Sequence, residues 1–175
     1  MNFQEKIKVN TEALFQSVSS LTDEQAAYKP LPEAWSVLEC LEHLFLVDSN
    51  VARVILTPSA DTNVNTTAEL FGEGKLNHLL VAKRIEFKVP APEFVSPTGR
   101  FNSLEEVREQ ITQTISKIIL NLEENDITKE TRTLKHPRLG EMTKTDWVHF
   151  MIAHTNRHIQ QIGEITHAVN SVKAG

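Results

Sequence analysis

The stretch DWVHFMIAHTNRHIQQIGEITHAVNSV, residues Asp146 to Val172, decides the fold because it carries one uninterrupted helical pattern. At about 100° per residue, His154 and His158 lie on the same face of the predicted helix. The side chains within about 60° of His154 are mostly apolar, so this face is expected to turn toward a protein core. They are Trp147, Phe150, Met151, Gln161, Ile165, Val169 and Val172.

The two histidines of this face have to be accommodated in an apolar interior. Buried neutral imidazoles need partners for their ring nitrogens, and a bound metal ion is one way to supply them. The other histidines of the segment, His149 and His167, fall on the opposite side of the helix and are predicted to face solvent.

Three more segments have helical spacing. A first helix is predicted from about Asn2 to Ser19, and a second from Val37 to about Leu56. A third helix follows Ser103, and the fourth, which contains the quoted stretch, begins near Thr143. Ser36 with Glu39, and Ser103 with Glu106, are predicted to form capping boxes at the starts of helices two and three. No strand-period alternation of useful length is visible, so the sequence predicts an all-α protein.

The connection between helices two and three, Thr57 to Asn102, is too long for a tight hairpin. It contains a polar stretch to Thr67, a predicted short helix near Leu76 to Glu86, and an extended run with Pro90, Pro92 and Pro97. A crossover of this length lets helix three run in the same direction as helix two. The predicted architecture is a four-helix bundle with one long crossover.

Composition limits the class of protein. A chain of 175 residues with 40% hydrophobic content is expected to form one domain spanning residues 1–175. A net charge of −5 with scattered Lys and Arg argues against nucleic-acid binding. No apolar run is long enough to span a bilayer, and a single cysteine, Cys40, agrees with a reducing compartment. A cytoplasmic protein with no membrane partner is expected.

A third histidine on an apolar face suggests a metal site. His43 shares its face of helix two with Cys40, Leu46, Val47, Asn50, Val51 and Val54. Helix bundles build metal sites from side chains on facing helices, so His43, His154 and His158 form a plausible three-nitrogen ligand set. Three protein ligands leave a position on the ion open for water or substrate.

Each of these residues also has an ordinary structural interpretation. A histidine pair four residues apart is often a hydrogen-bonded core pair. Cys40 could be a fourth ligand or simply a small buried hydrophobe. No residue stands out as a general base: Glu39 could orient His43 or carry protons, but capping also accounts for it, and Gln161 could contact substrate or a backbone carbonyl. Trp35 and Trp147 are expected to be core anchors more than substrate stackers.

Several catalytic classes are excluded by residue type. Zinc peptidases with a His-Glu-x-x-His motif need a general base where this chain has Thr155. A di-iron bundle needs paired Glu-x-x-His motifs, and Glu164 with His167 points away from His154. No Gly-rich phosphate loop, nucleophile elbow or Cys-x-x-Cys pair is present.

Three groups of residues together resemble the DinB-like superfamily of metalloenzymes, and its YfiT-type branch most closely. They are Trp35-Ser36-x-x-Glu39-x-x-x-His43-Leu44, His136-Pro137-x-x-Gly140-x-x-Thr143-x-x-x-Trp147 and His154-x-x-Arg157-His158-x-x-Gln161-Ile162. The resemblance implies a four-helix bundle in up-down-down-up order. It also implies that His43, His154 and His158 are metal ligands.

The resemblance implies a range of activities. Members of this superfamily are similar to metal-dependent transferases that use low-molecular-weight thiols, such as bacillithiol or mycothiol S-transferases and maleylpyruvate isomerase, and others are described as hydrolases. The favoured expectation is a zinc or nickel enzyme that activates a thiol for attack on an electrophilic small molecule. A hydrolase that activates water is one alternative, and a non-catalytic metal-binding or stress-response bundle is another. A homodimer is compatible with the sequence.

Overall fold

Six α-helices and one β-hairpin are found in the computed structural model, which describes residues 1–57, 69–87, 90–130 and 132–173. Helix α4 continues into a turn of π-helix, His78–Ala82, and two short 3₁₀ turns cover Glu93–Val95 and Ile127–Lys129. The helices are α1 (Phe3–Ser17), α2 (Asp23–Ala27), α3 (Val37–Leu56), α4 (Gly72–Asn77), α5 (Leu104–Glu124) and α6 (Lys144–Lys173), and the hairpin strands are β1 (Thr133–His136) and β2 (Gly140–Thr143).

The first and last helices of the bundle run in the same direction. The ring of Phe3, at the start of α1, lies 5.2 Å from that of His149 on α6. Two turns later, the Asn10 side chain donates a hydrogen bond to Asn156 Oδ1 over 2.7 Å. Positions therefore advance together along α1 and α6, which makes the two helices parallel.

Helix α3 runs opposite to α6, and α5 runs opposite to α1. His43 near the start of α3 packs beside His158, whereas the Thr57 carbonyl at its end accepts a hydrogen bond from Lys144 Nζ at the start of α6. Gln4 in the first turn of α1 donates to the Leu122 carbonyl near the end of α5. The order is up-down-down-up, so the all-α bundle with a parallel crossover between its second and third long helices is confirmed.

The apolar stripes of the four long helices meet in one core. The predicted stripe of α5 is buried throughout: Val107, Ile111, Ile115, Ile118 and Leu122. The capping box of Ser36 and Glu39 is present, with both reciprocal hydrogen bonds. At the start of α5, Ser103 accepts from the Glu106 amide, but the Glu106 carboxylate accepts from Asn102 instead of Ser103, so the second predicted box is only half formed.

Asp146 fastens the beginning of the described crossover to the bundle. Its carboxylate accepts hydrogen bonds of 2.9 to 3.1 Å from the amides of Leu70, Phe71 and Gly72. It also accepts from the amide and hydroxyl of Thr143, while its own amide donates to the Thr143 hydroxyl. The side chain that caps α6 thus also binds a distant segment of backbone.

Glu42 fastens the end of the crossover in the same way. The Glu42 carboxylate accepts from the amide and hydroxyl of Thr98 and from the amides of Gly99 and Arg100, over 2.8 to 3.0 Å. Burial alone would raise the pKa of Glu42 and of Asp146, but these hydrogen bonds outweigh burial, and the net pKa of each is lowered. Both side chains therefore bind the crossover as carboxylates.

Other details also differ from the sequence prediction. A helix, α2, and a β-hairpin were not predicted, because five-residue and four-residue elements are too short to show a period. His149 was predicted to face solvent, yet it is only 6% exposed, because α6 is covered on that side by α1 and by the segment around Glu69. His167 is exposed as predicted. The polar stretch to Thr67 lies outside the described residues.

The predicted short helix near Leu76 to Glu86 is present in altered form, as α4 and the π-helical turn after it. Within the described ranges, no helix is both long and apolar enough to cross a membrane.

Replacing either buried carboxylate is expected to destabilise the fold. Asp146→Asn and Glu42→Gln should each lower the free energy of unfolding by about 2–4 kcal/mol, because several charge-assisted hydrogen bonds to backbone are weakened at once. The exposed Glu12→Gln should change it by less than about 0.5 kcal/mol. Urea denaturation at neutral pH measures all three.

The lowered pKa values also set the pH dependence of stability. The contribution of Glu42 and Asp146 is complete above the ordinary carboxyl pKa of about 4 and is lost as the pH falls through their lower folded-state pKa values. Stability of the wild type should therefore fall more steeply below pH 4 than that of Glu42→Gln. Equal acid sensitivity of the two proteins would contradict this role of Glu42.

Candidate metal centre

Three imidazoles from two antiparallel helices converge in the bundle. His43 comes from α3, and His154 and His158 come from successive turns of α6; one ligand atom from each lies within 4.8 Å of the others. Nε2 of His154 is 3.4 Å from Nε2 of His43 and 3.3 Å from Nε2 of His158. The structure therefore brings together the three histidines singled out in the sequence.

The spacing of these nitrogens fits a tetrahedral metal ion. Zinc–nitrogen bonds of about 2.0–2.1 Å at tetrahedral angles place neighbouring ligand nitrogens about 3.3–3.4 Å apart. The two close Nε2 pairs match this separation. No other group of His, Cys, Asp and Glu side chains among the described residues is close enough to hold an ion in this way.

The tautomer of His43 is fixed by the crossover. Its Nδ1 lies 2.7 Å from the carbonyl oxygen of Val95, in the 3₁₀ turn that follows the extended segment. Because a carbonyl oxygen only accepts, Nδ1 carries the proton and Nε2 keeps a lone pair facing the other two histidines. This outer hydrogen bond is the arrangement usually found behind a metal-ligating histidine.

The electrostatics of the cluster keep it neutral. Burial lowers the pKa of His43, His154 and His158, and the nearby guanidinium of Arg157 lowers all three further. Neutral imidazole is the form that binds a metal ion, so the site favours binding without competition from protons at pH 7.

Arg157 also builds the wall of the site. Its guanidinium donates to the carbonyls of Leu80, Arg84 and Phe87 over 3.0 to 3.2 Å. These carbonyls belong to the π-helical turn and to the residues that follow it. Arg157 thus holds this part of the crossover against α6, between the two histidines.

A cavity of about 800 Å³ opens onto the three histidines. Its walls are mostly apolar and aromatic, which suits a small organic molecule. The aromatic lining consists of Trp35, Phe87, Phe94, Trp147 and Phe150, and the polar lining includes Asn50, His136, Arg138, Arg157 and Gln161.

The other residues considered as ligands or catalytic groups lie at different positions relative to the histidine cluster. Gln161 lines the cavity, and its side chain counters some of the lowering of the His158 pKa that burial causes. Glu39 instead caps Ser36 and pairs with Lys29 at 2.9 Å, and the group that orients His43 is the Val95 carbonyl. Cys40 lies outside the cluster, and burial raises its pKa to about 12.

Both tryptophans, predicted as core anchors, also line the cavity. The Trp35 ring lies 5.0 Å from that of His43 and stacks on His158 at 6.3 Å, while Trp147 is only 7% exposed.

Sequence reasoning assigned no role to His136, which lines the same cavity. It lies in a short hairpin between α5 and α6, outside any periodic segment. The only sequence signal was its place in the His136-Pro137-x-x-Gly140 motif, which carried no chemistry of its own.

Comparisons with known proteins support the fold and the family. The DinB superfamily matches residues 7–162. An uncharacterized protein of Bacillus subtilis (strain 168), YuaE, is 30% identical over 151 residues, which cover 86% of this chain and 89% of that protein. The crystal structure of TT2238, a four-helix bundle protein, is similar in fold with a TM-score of 0.52 and 17% identity, covering 99% of this chain and 97% of that one.

The metal-binding and the core-packing interpretations of His154 predict opposite effects of its replacement on the stability of the metal-free protein. Nδ1 of His154 is buried with no hydrogen-bond partner among the described residues. His154→Leu should therefore make the metal-free protein about 1–2 kcal/mol more stable, because an unsatisfied polar atom is removed. Urea denaturation in the presence of a chelator measures this, with the exposed His167→Leu as the control.

A clear loss of stability in His154→Leu without metal would contradict this expectation. It would show that the histidine is a well-partnered core residue, as the packing interpretation requires.

Proposed function

We propose that this chain, which belongs to the DinB superfamily, is a divalent-metal-dependent enzyme with His43, His154 and His158 as its protein ligands. The favoured reaction is transfer of a low-molecular-weight thiol to an electrophilic small molecule. The observation that carries the proposal is the convergence of three neutral imidazole nitrogens at the wall of a large, mostly apolar cavity.

The donor set favours zinc or nickel. Imidazole nitrogen suits both ions, whereas magnesium and calcium prefer oxygen ligands. A divalent ion bound here would act as a Lewis acid that lowers the pKa of a thiol or of water. Three protein ligands leave room for one further ligand, which is typical of catalytic and not of structural zinc sites.

The residues of the chain contribute orientation and exclusion of water. The Val95 carbonyl holds the His43 ring in one tautomer, so that its lone pair points to the cluster. The aromatic walls reduce hydration around the reacting groups and offer apolar surface to the electrophile. Burial keeps Cys40 protonated, so the nucleophilic thiol has to come from a small molecule that enters the cavity.

The volume of the cavity favours small substrates. Its volume of about 800 Å³ lies within the range of cavities that bind small organic molecules and cofactors. A thiol and an electrophile of modest size therefore fit together next to the histidines.

Metal content tests the ligand assignment. Tag-free wild-type protein is expected to contain or take up about one zinc or nickel ion per chain. His43→Ala, His154→Ala and His158→Ala should each weaken binding at least about a hundredfold, since loss of even an outer partner costs about 10–100-fold. Mass spectrometry of the dialysed proteins measures occupancy, and circular dichroism checks the fold.

The control for metal content is His167→Ala, which should bind metal like the wild type because His167 is exposed. Wild type that is folded, metal-free and unable to take up either ion would rule out the metalloenzyme proposal.

Thiol dependence tests the reaction. The metal-loaded protein is expected to accelerate conjugation of a bimane electrophile with cysteine or bacillithiol, and His154→Ala should lose at least about 99% of the rate above background. Fluorescence of the conjugate measures the rate. Ester hydrolysis by loaded protein without any thiol would favour the hydrolase alternative, and neither activity would favour a non-catalytic metal-binding bundle.

A further inference from the structure

His136, at the end of β1, lines the same cavity as His43, His154 and His158 but does not belong to their cluster. Its ring packs 4.7 Å from the ring of Phe150 and 5.2 Å from that of Trp147. Phe150 in turn stacks on His154 at 5.2 Å. His136 and His154 therefore both contact the Phe150 ring.

The hairpin turn fixes which nitrogen of His136 carries the proton. The amides of Arg138 and Leu139 both donate to His136 Nδ1, each over 3.1 Å. A nitrogen that accepts two N–H groups has no proton of its own, so the neutral ring carries its proton on Nε2. The hairpin closes at Gly140, which pairs with His136 and adopts a φ of +86°, a conformation that favours glycine.

The hydrogen-bonding capacity of His136 is only half used. Nδ1 is satisfied by the turn, and no partner for Nε2–H is found among the described residues. Nε2 lies on the opposite side of the ring from the turn, and the ring lines the cavity. Burial lowers the pKa of His136 to about 4, so the ring stays neutral at pH 7.

We propose that His136 is a substrate-binding residue whose Nε2–H donates a hydrogen bond to a carbonyl or carboxylate oxygen of the molecule bound in the cavity. This inference rests on the proposed function, because it assigns one feature of the substrate: an oxygen acceptor attached to an apolar body. The turn amides and Gly140 act as positioning groups that hold His136 in the donor tautomer. This role accounts for the His136-Pro137-x-x-Gly140 motif.

The tautomer is tested without any substrate. Long-range ¹H–¹⁵N NMR spectra of protein labelled with ¹⁵N-histidine should show His136 as the neutral Nε2–H tautomer at pH 7. A ring that is protonated, or that carries its proton on Nδ1, would overturn the proposal. His136→Phe identifies the resonance by its loss.

Benzoate is the probe for binding, because it joins a carboxylate to an apolar ring. Its affinity for zinc-loaded protein, measured by calorimetry, should fall about tenfold in His136→Phe, the amount expected for one hydrogen bond to a charged group. His136→Gln, which can still donate, should restore most of the affinity, and the exposed His167→Phe should bind like wild type.

Equal benzoate affinity in wild type and His136→Phe, or no binding to either, would overturn the proposal. Zinc content and circular dichroism are measured on every variant. His136→Phe should keep its zinc and its helicity, because Phe preserves the ring contacts with Trp147 and Phe150. If the wild type bound no zinc, the proposed function would fail, while the NMR tautomer and benzoate binding to the metal-free protein would still decide the role of His136.

Discussion

Hydrogen bonds between the backbone of the crossover and the charged side chains of Asp146, Glu42 and Arg157 are the interaction on which the rest of the structure depends. A parallel connection between α3 and α5 needs a long segment, and the described part of this one contains only short helical elements. Asp146 and Glu42 accept from its amides near both ends of its described part, and Arg157 donates to its carbonyls in between. These hydrogen bonds give partners to backbone groups of the described crossover that lie against the bundle.

The same hydrogen bonds to the crossover also shape the site. Once the crossover is held in place, it closes one side of the cavity and brings the Val95 carbonyl to His43. The residue that anchors the middle of the crossover, Arg157, lies between His154 and His158 in the sequence, and its charge adds to the effect of burial in lowering the pKa of both. The contacts that pack the crossover against the bundle therefore also determine the environment of the histidines.

The structural features that the sequence predicts correctly are those that depend on helical periodicity or on the length of a connection. Helical spacing identified the long helices and placed His43, His154 and His158 on inward faces, and the crossover followed from the length of one connection. What it misses depends on contacts distant in the chain: the burial of His149 comes from α1, and the tautomer of His43 from a backbone carbonyl 52 residues away. Hydrogen bonds of this kind leave no pattern in the sequence, because any residue can supply a backbone carbonyl or amide.

Because α3 and α6 pack antiparallel, the distances between the three histidines depend on the axial register of the two helices. An axial slip of one residue would shift a histidine of the cluster by about 1.5 Å, whereas metal sites in general tolerate changes of only about 0.2 Å. Thr57 and Lys144, which join the far ends of these helices, therefore bear on the ligand geometry without approaching it. If the three histidines bind a metal ion as proposed, the affinity for that ion depends on the alignment of α3 with α6.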